Sequence, residues 1–221
     1  MTCIAGLEQN GRVYIGGDSA GVAGASLSVR ANPKVFHNGP FLIGFTTSFR
    51  MGQLLQFKLS PPPHPNGVDT LDFLVCDFVD AVRRCLTLGG FAKRREDQEV
   101  AGAFLLGYRG GLYTIDSDYQ VAKATDGFAS VGAGSQTALG ALYALEVAMS
   151  TEANHLSKPT TANGLAILAN ARANYSIQKP ISAGFTTDKQ LTPEERIIIA
   201  LHAAERSNST VRAPFIVLSN D

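Results

Sequence analysis

Three side chains near the start of the chain, Thr2, Asp18 and Lys34, could form a self-contained nucleophilic site. If Met1 is removed, as a small second residue favours, Thr2 carries a hydroxyl and a free α-amine on the same residue. A threonine hydroxyl is a weak nucleophile near neutral pH and needs a base. The α-amine can serve, because its reference pKa is about 7.7–8.0. A neighbouring ammonium such as Lys34 favours the neutral form of that amine, which is the form able to accept a proton. A buried lysine needs a counter-charge in turn, and Asp18 supplies one.

The three lie on three successive strand-like segments, each near a strand end or a glycine turn. Residues 2–7 and 12–17 are short apolar runs on either side of the turn signal "EQNG". This predicts a hairpin with Thr2 at its start and Asp18 just past its end. "ASLSVRANPKVF" and "GPFLIGFTT" predict a second strand pair, broken at Asn38-Gly39-Pro40, with Lys34 on its first strand. "SFRMGQLLQFKL" then turns helical, with Met51, Leu54, Leu55 and Leu59 near one face, and the proline-rich "SPPPHPNG" stops it. "VDTLDFLVCDFVDAVRRCL" follows as a helix, and "RREDQE" reads as a solvated, charged loop. "VAGAFLLGY" and "GLYTIDS" form another hairpin across Arg109-Gly110-Gly111, and "FASVGAG" is a further strand. "SQTALGALYALEVAM" is helical, and "LTPEERIIIALHAAER" opens with N-cap Thr192, Pro193 and the capping-box Glu195. "APFIVLS" closes the chain as a strand.

Runs of strands beside runs of helices, without strict alternation, predict an α+β fold with antiparallel sheets. Residues 150–190 fit this pattern less well. They read as an insertion, partly helical around 161–173, in a single domain spanning 1–221.

Rival chemistry is weaker. Gly17-Asp18-Ser19-Ala20-Gly21 matches the nucleophile-elbow pattern, with His202 as a distant base. That elbow must lead from a strand into a helix, and a glycine-rich extended stretch follows here instead. "GVAGAS" and "VGAGS" lack the spacing of phosphate-binding loops. Among the 221 residues, Lys+Arg and Asp+Glu both count 19, so there is no basic footprint for nucleic acid and no polybasic membrane patch. Cys3, Cys76 and Cys85 are scattered without ligand spacing, so neither a metal site nor a disulfide framework is expected, and no cofactor. No secretory start and no run of membrane-spanning length is visible, and a cytoplasmic location is expected.

The opening "TCIAGL…VYIGGDSAG" resembles the β-type subunits of the proteasome and their bacterial HslV-type relatives. It matches their threonine start and the strand that ends in their aspartate, and Lys34 in "NPKVF" falls where the family lysine sits. "FLIGFTTS", "GAFLLGYRGGLYTIDSDY", "VGAGSQTALGAL" and "LTPEERIIIALHAAERSNS…FIVLS" resemble later family segments, so the likeness spans nearly the whole chain outside 150–190.

The resemblance implies a four-layer α-β-β-α sandwich of the N-terminal-nucleophile hydrolase type and a threonine endopeptidase acting on peptides or unfolded proteins. In this reading Thr2 is the nucleophile, Lys34 and Asp18 tune it, and the Ser48 N–H stabilises the oxyanion. The pocket for the residue before the scissile bond would be lined by Gly21, Val22, Asn32, Phe36, Thr46, Arg50 and Leu54. Arg50 is the only charge in that set and implies a preference for acidic residues. The resemblance also implies a homo-oligomeric ring, with an ATPase as a possible partner. The family's outer network departs here: its serine falls at Ala133, with Ser135 nearby, its aspartate near Ser207 and its second serine near Thr210. An amidase or transpeptidase on an unusual acyl substrate, and a silent ring subunit, are the alternatives.

Overall fold

Asn10 and Gly11 take φ of 53° and 74°. Positive values at both positions make the tight turn that suits a two-residue hairpin. It joins β1 (Cys3–Gln9) to β2 (Arg12–Gly17). In a computed structural model, which describes residues 2–95, 98–155 and 191–220, this hairpin forms the middle of one sheet. The chain divides into two compact units, Met1–Tyr143 with Thr192–Asp221, and Ala144–Leu191. The first unit carries everything that follows. The insertion expected at 150–190 lies almost wholly outside the described residues, and the helix expected around 161–173 entirely so.

The remaining strands are β3 (Ala20–Ala23), β4 (Ser26–Val29), β5 (Val35–Asn38), β6 (Phe41–Phe45), β7 (Lys93–Arg95) and β8 (Gln98–Val100). They continue with β9 (Phe104–Tyr108), β10 (Gly111–Ile115), β11 (Val121–Lys123), β12 (Phe128–Gly132) and β13 (Ile216–Ser219). One antiparallel sheet has the order β12-β1-β2-β13 and the other β11-β10-β9-β6-β5.

Strand alternation sorts the side chains into layers. Cys3, Ala5 and Leu7 of β1 face Ala138 and Leu142 of α4 (Ser135–His155) and Ile197, Ala200 and Leu201 of α5 (Pro193–Ser207). Ile4, between them, joins Ile15, Leu42, Leu105 and Leu112 between the two sheets. Phe41, Ile43 and Phe45 of β6 face the other way, onto Met51, Leu54 and Leu55 of α1 (Phe49–Phe57) and Val82 and Leu86 of α3 (Val79–Leu88). The result is the α-β-β-α sandwich. Its helices hold because each buries one apolar face, each large side chain contributing about 1.5–3 kcal/mol. At α5 the capping box forms as expected: the Thr192 hydroxyl accepts from the Glu195 N–H at 3.2 Å and Glu195 accepts from the Thr192 N–H at 2.8 Å.

The structure differs from the sequence reading in three elements. "ASLSVRANPKVF" is two strands rather than one, β4 and β5. β4 pairs with the short β3, and the chain turns away at Ala31-Asn32-Pro33, where proline offers no ladder donor. Within "RREDQE", Arg94 and Arg95 belong to β7 and pair with Glu99 and Gln98 of β8 rather than forming a loop, since a strand can pair through its backbone whatever its side chains carry. The helix expected through "VDTLDFLVCDFVDAVRRCL" is present, but α2 (Thr70–Phe73) passes through a π-helical turn at Leu74–Phe78 before α3. Among the described residues no helix is long and apolar enough to cross a membrane.

Candidate active site

The β1–β2 register sets Ile4 opposite Gly17, so Thr2 before one strand and Asp18 after the other emerge at the same end. Lys34 directly precedes β5 in the second sheet, and its side chain closes the gap. Its Nζ donates to Asp18 Oδ1 at 2.8 Å and to Thr2 Oγ at 2.9 Å. All three residues are buried, at 5% (Thr2), 1% (Asp18) and 2% (Lys34) exposure. The carboxylate is held as firmly as the ammonium. Asp18 Oδ1 accepts from the Cys3 N–H at 3.0 Å, and Oδ2 from the N–H groups of Ala20 at 2.9 Å and Arg212 at 3.4 Å. The Thr2 carbonyl accepts from the Gly134 N–H at 3.3 Å. Gly132, at φ 101°, packs so close to that carbonyl that a Cβ would overlap it. The main chain of Thr2 is thus pinned from both sides.

Burial pulls the Lys34 ammonium below the ordinary lysine range, and the Asp18 carboxylate pulls the other way. The neighbouring Cys3 thiol is pushed up to about 12, chiefly by burial, so it stays a neutral core group. The arrangement can polarise the Thr2 hydroxyl and stabilise negative charge that develops on it. Among the described residues no cluster of three His, Cys, Asp or Glu side chains could hold a metal ion.

The residues expected around this trio divide. Gly21 is buried on β3 and Val22 half-buried beside it, while Asn32 is exposed. Thr46 is buried, its hydroxyl donating to the Ala103 carbonyl at 2.7 Å. Phe36 and Leu54 do not line an open wall. They belong to the helix-side core, where Phe36 meets Phe45 at 6.3 Å between ring centroids. Ser48 is the N-cap of α1, its hydroxyl accepting from the Arg50 N–H at 3.1 Å. Its own N–H donates to the Thr46 carbonyl at 2.8 Å, across Thr47 at φ 69°, and is engaged within the chain. Arg50 points away to the end of α3, where Nη2 donates to the Gly89 carbonyl at 3.2 Å. The negative end of a helix is a favourable place for a cation.

Two residues that sequence reasoning passed over take part. Arg30 lies over Gly21 and against Phe49, beside Lys34. Asn208 organises the outer network: its Nδ2 donates to the Ala133 carbonyl at 3.1 Å, and its Oδ1 accepts from the Thr210 hydroxyl at 2.6 Å. Ala133 sits in the turn that carries Gly134, so Asn208 braces the support of Thr2 without a charge. Ser207 instead faces the Thr137 hydroxyl at 2.9 Å. No spacing signal marks either residue, since both contacts depend on how separate segments pack. The nucleophile-elbow reading fails on geometry: Ser19 is buried, its hydroxyl donating to the Pro214 carbonyl at 2.6 Å. His202 pairs with Glu205 on the same helix at 3.4 Å.

Two antiparallel sheets between helical layers, with a threonine, an aspartate and a lysine meeting at one sheet end, define the proteasome-type N-terminal-nucleophile hydrolase fold. Among solved structures, the chain is similar to Thiobacillus denitrificans BPH in complex with epoxomicin, with a TM-score of 0.67 and 17% identity over 99% of this chain and 97% of that one. It is similar also to eukaryotic HslV from Trypanosoma brucei, with a TM-score of 0.56 and 14% identity over 99% and 98% of the two chains. Anbu, an ancestral β-subunit from Yersinia bercovieri, matches with a TM-score of 0.54 and 14% identity over 99% and 81%. At these identities the likeness is one of fold. No family sequence profile matches the chain, and comparison with curated proteins finds no match.

Proposed function

We propose that this chain is a threonine-type endopeptidase of peptides or unfolded proteins, with Thr2 as nucleophile once Met1 has been removed. The observation that carries this reading is the buried Lys34 ammonium, 2.9 Å from the Thr2 hydroxyl and 2.8 Å from the Asp18 carboxylate. Thr2 Oγ attacks the substrate carbonyl, forming the C–O bond while its proton passes to the Thr2 α-amine. Collapse of the tetrahedral species breaks the C–N bond, and the same proton goes to the leaving amine. Water then gives a proton to the α-amine and attacks the ester carbonyl, the C–Oγ bond breaks, and the ammonium returns that proton to Thr2 Oγ. Lys34 favours the neutral amine beforehand and stabilises charge on Oγ during attack. If the Ser48 N–H serves the oxyanion, its bond to Thr46 must open as substrate arrives. Such a donor is worth about 2.7–4 kcal/mol.

The fold supports extending this reading to a homo-oligomeric ring, with an ATPase as a possible partner. Light scattering that finds a monomer at micromolar concentration would remove the ring. For the chemistry, intact-mass measurement is expected to show loss of Met1 and addition of one epoxyketone to Thr2. Thr2→Ala is expected to fold, to escape labelling and to lose fluorogenic-peptide turnover. Active protein that retains Met1 would sink the reading, because the base would then be an amide.

A further inference from the structure

Arg30 follows β4, and its N–H donates to the Ser19 carbonyl at 2.9 Å, anchoring its main chain one residue from Asp18. Its stem covers Gly21, where an added Cβ would lie 3.0 Å from Arg30 Cδ and overlap Nε. Its guanidinium carbon stands 4.3 Å from the centroid of the Phe49 ring. Lys34 Nζ stands 5.7 Å from the same ring. Arg30 therefore spans from β3 to the first residue of α1, and its charge reaches the site: it is one of the influences that lower Lys34. The side chain is exposed. Among the described residues, no acidic side chain pairs with it. The nearest carboxylate of the site, Asp18, is committed to Lys34 and backbone donors.

We propose that Arg30 is a specificity-determining residue, whose guanidinium receives the carboxylate of a substrate Glu or Asp immediately before the scissile bond. This rests on the peptidase reading above and deepens it. The planar fork can accept a carboxylate in two parallel bonds while its face stays stacked on Phe49. Arg50, which sequence reasoning offered for the same task, is turned to the Gly89 carbonyl.

The test compares kcat/KM for two peptides that differ only in Glu or Gln before the scissile bond. Glu is expected to be favoured about ten- to a hundredfold at low salt, the range of a charge-assisted bond. The ratio should shrink as salt screens the exposed pair. Arg30→Gln should bring the ratio near one. Arg30→Lys should keep part of it, since the charge remains and the fork is lost. A wild-type ratio near one, or an unchanged ratio in Arg30→Gln, overturns the proposal. Should Arg30→Gln fail to fold, the Lys variant and the salt series decide it in the same way. If protein with Thr2 at its terminus cleaves neither peptide, the peptidase reading falls and this proposal with it. If it cleaves both equally, only the role of Arg30 falls.

Discussion

Two segments were expected to converge on one carbonyl, and they are built differently. The Asp18–Lys34 pair lies at sheet ends, is almost fully buried and has its polar atoms engaged by backbone donors and by Thr2. The Ser48–Arg50 segment lies at a helix start, half exposed, and spends its groups on its own helix and on the end of α3. A charge placed by strand register in a dry site has little freedom, because leaving it unpaired is expensive. A long cation on a helix's first turn is free to swing toward whichever carbonyl or carboxylate is nearest. The first region is held in one arrangement by its own contacts, whereas in the second the Ser48 N–H reaches another acceptor only if its bond to the Thr46 carbonyl opens.

The largest break in this contrast is expected from Asp18→Ala, which strands a buried ammonium and should cost about 3–5 kcal/mol. Denaturant midpoints measure it, and an unchanged midpoint would mean that the pair does not govern stability. Lys34→Met should cost less, roughly 1–3 kcal/mol, because Asp18 keeps three backbone donors. The pH dependence sharpens this. Lys34 in the folded protein lies below the ordinary lysine range, so between its folded and unfolded pKa the unfolded chain binds more protons. Folding stability therefore rises with pH across that window. Wild type should gain on Lys34→Met as pH climbs toward the ordinary lysine value, and a gap that shrinks instead would reverse the sign.

Ser48→Ala removes only a cap and should cost about 1 kcal/mol, with Ser48→Gly costing a few tenths. A loss beyond that range in thermal melts would show that Ser48 bears on more than α1. The smallest effect is expected from Arg50→Ala, within about 0.5 kcal/mol in stability. The Glu/Gln ratio should stay at its wild-type value in this variant. A ratio that collapses in Arg50→Ala and survives in Arg30→Gln would exchange the roles of the two arginines.

Much of the frame was legible in the residues alone. Asn-Gly at 10–11 and Arg-Gly at 109–110 announce hairpins because both turns take positive φ at both positions. Thr192, Pro193 and Glu195 announce a helix start because each answers a main-chain donor that a helix leaves open. Alternating apolar residues around the first turn settle that Thr2 and Asp18 lie at the same hairpin end, whereas Lys34 reaches them from the other sheet. These are short-range rules, and the sequence by itself determined what depends on them. The β3–β4 pairing, the β7–β8 hairpin, the turn that occupies the Ser48 N–H, the brace from Asn208 to Ala133 and the turning of Arg50 to the Gly89 carbonyl were decided only by the tertiary structure. Each is a choice among partners of nearly equal local merit. What selects among them is proximity between segments far apart in the chain, which exists only once the layers have packed.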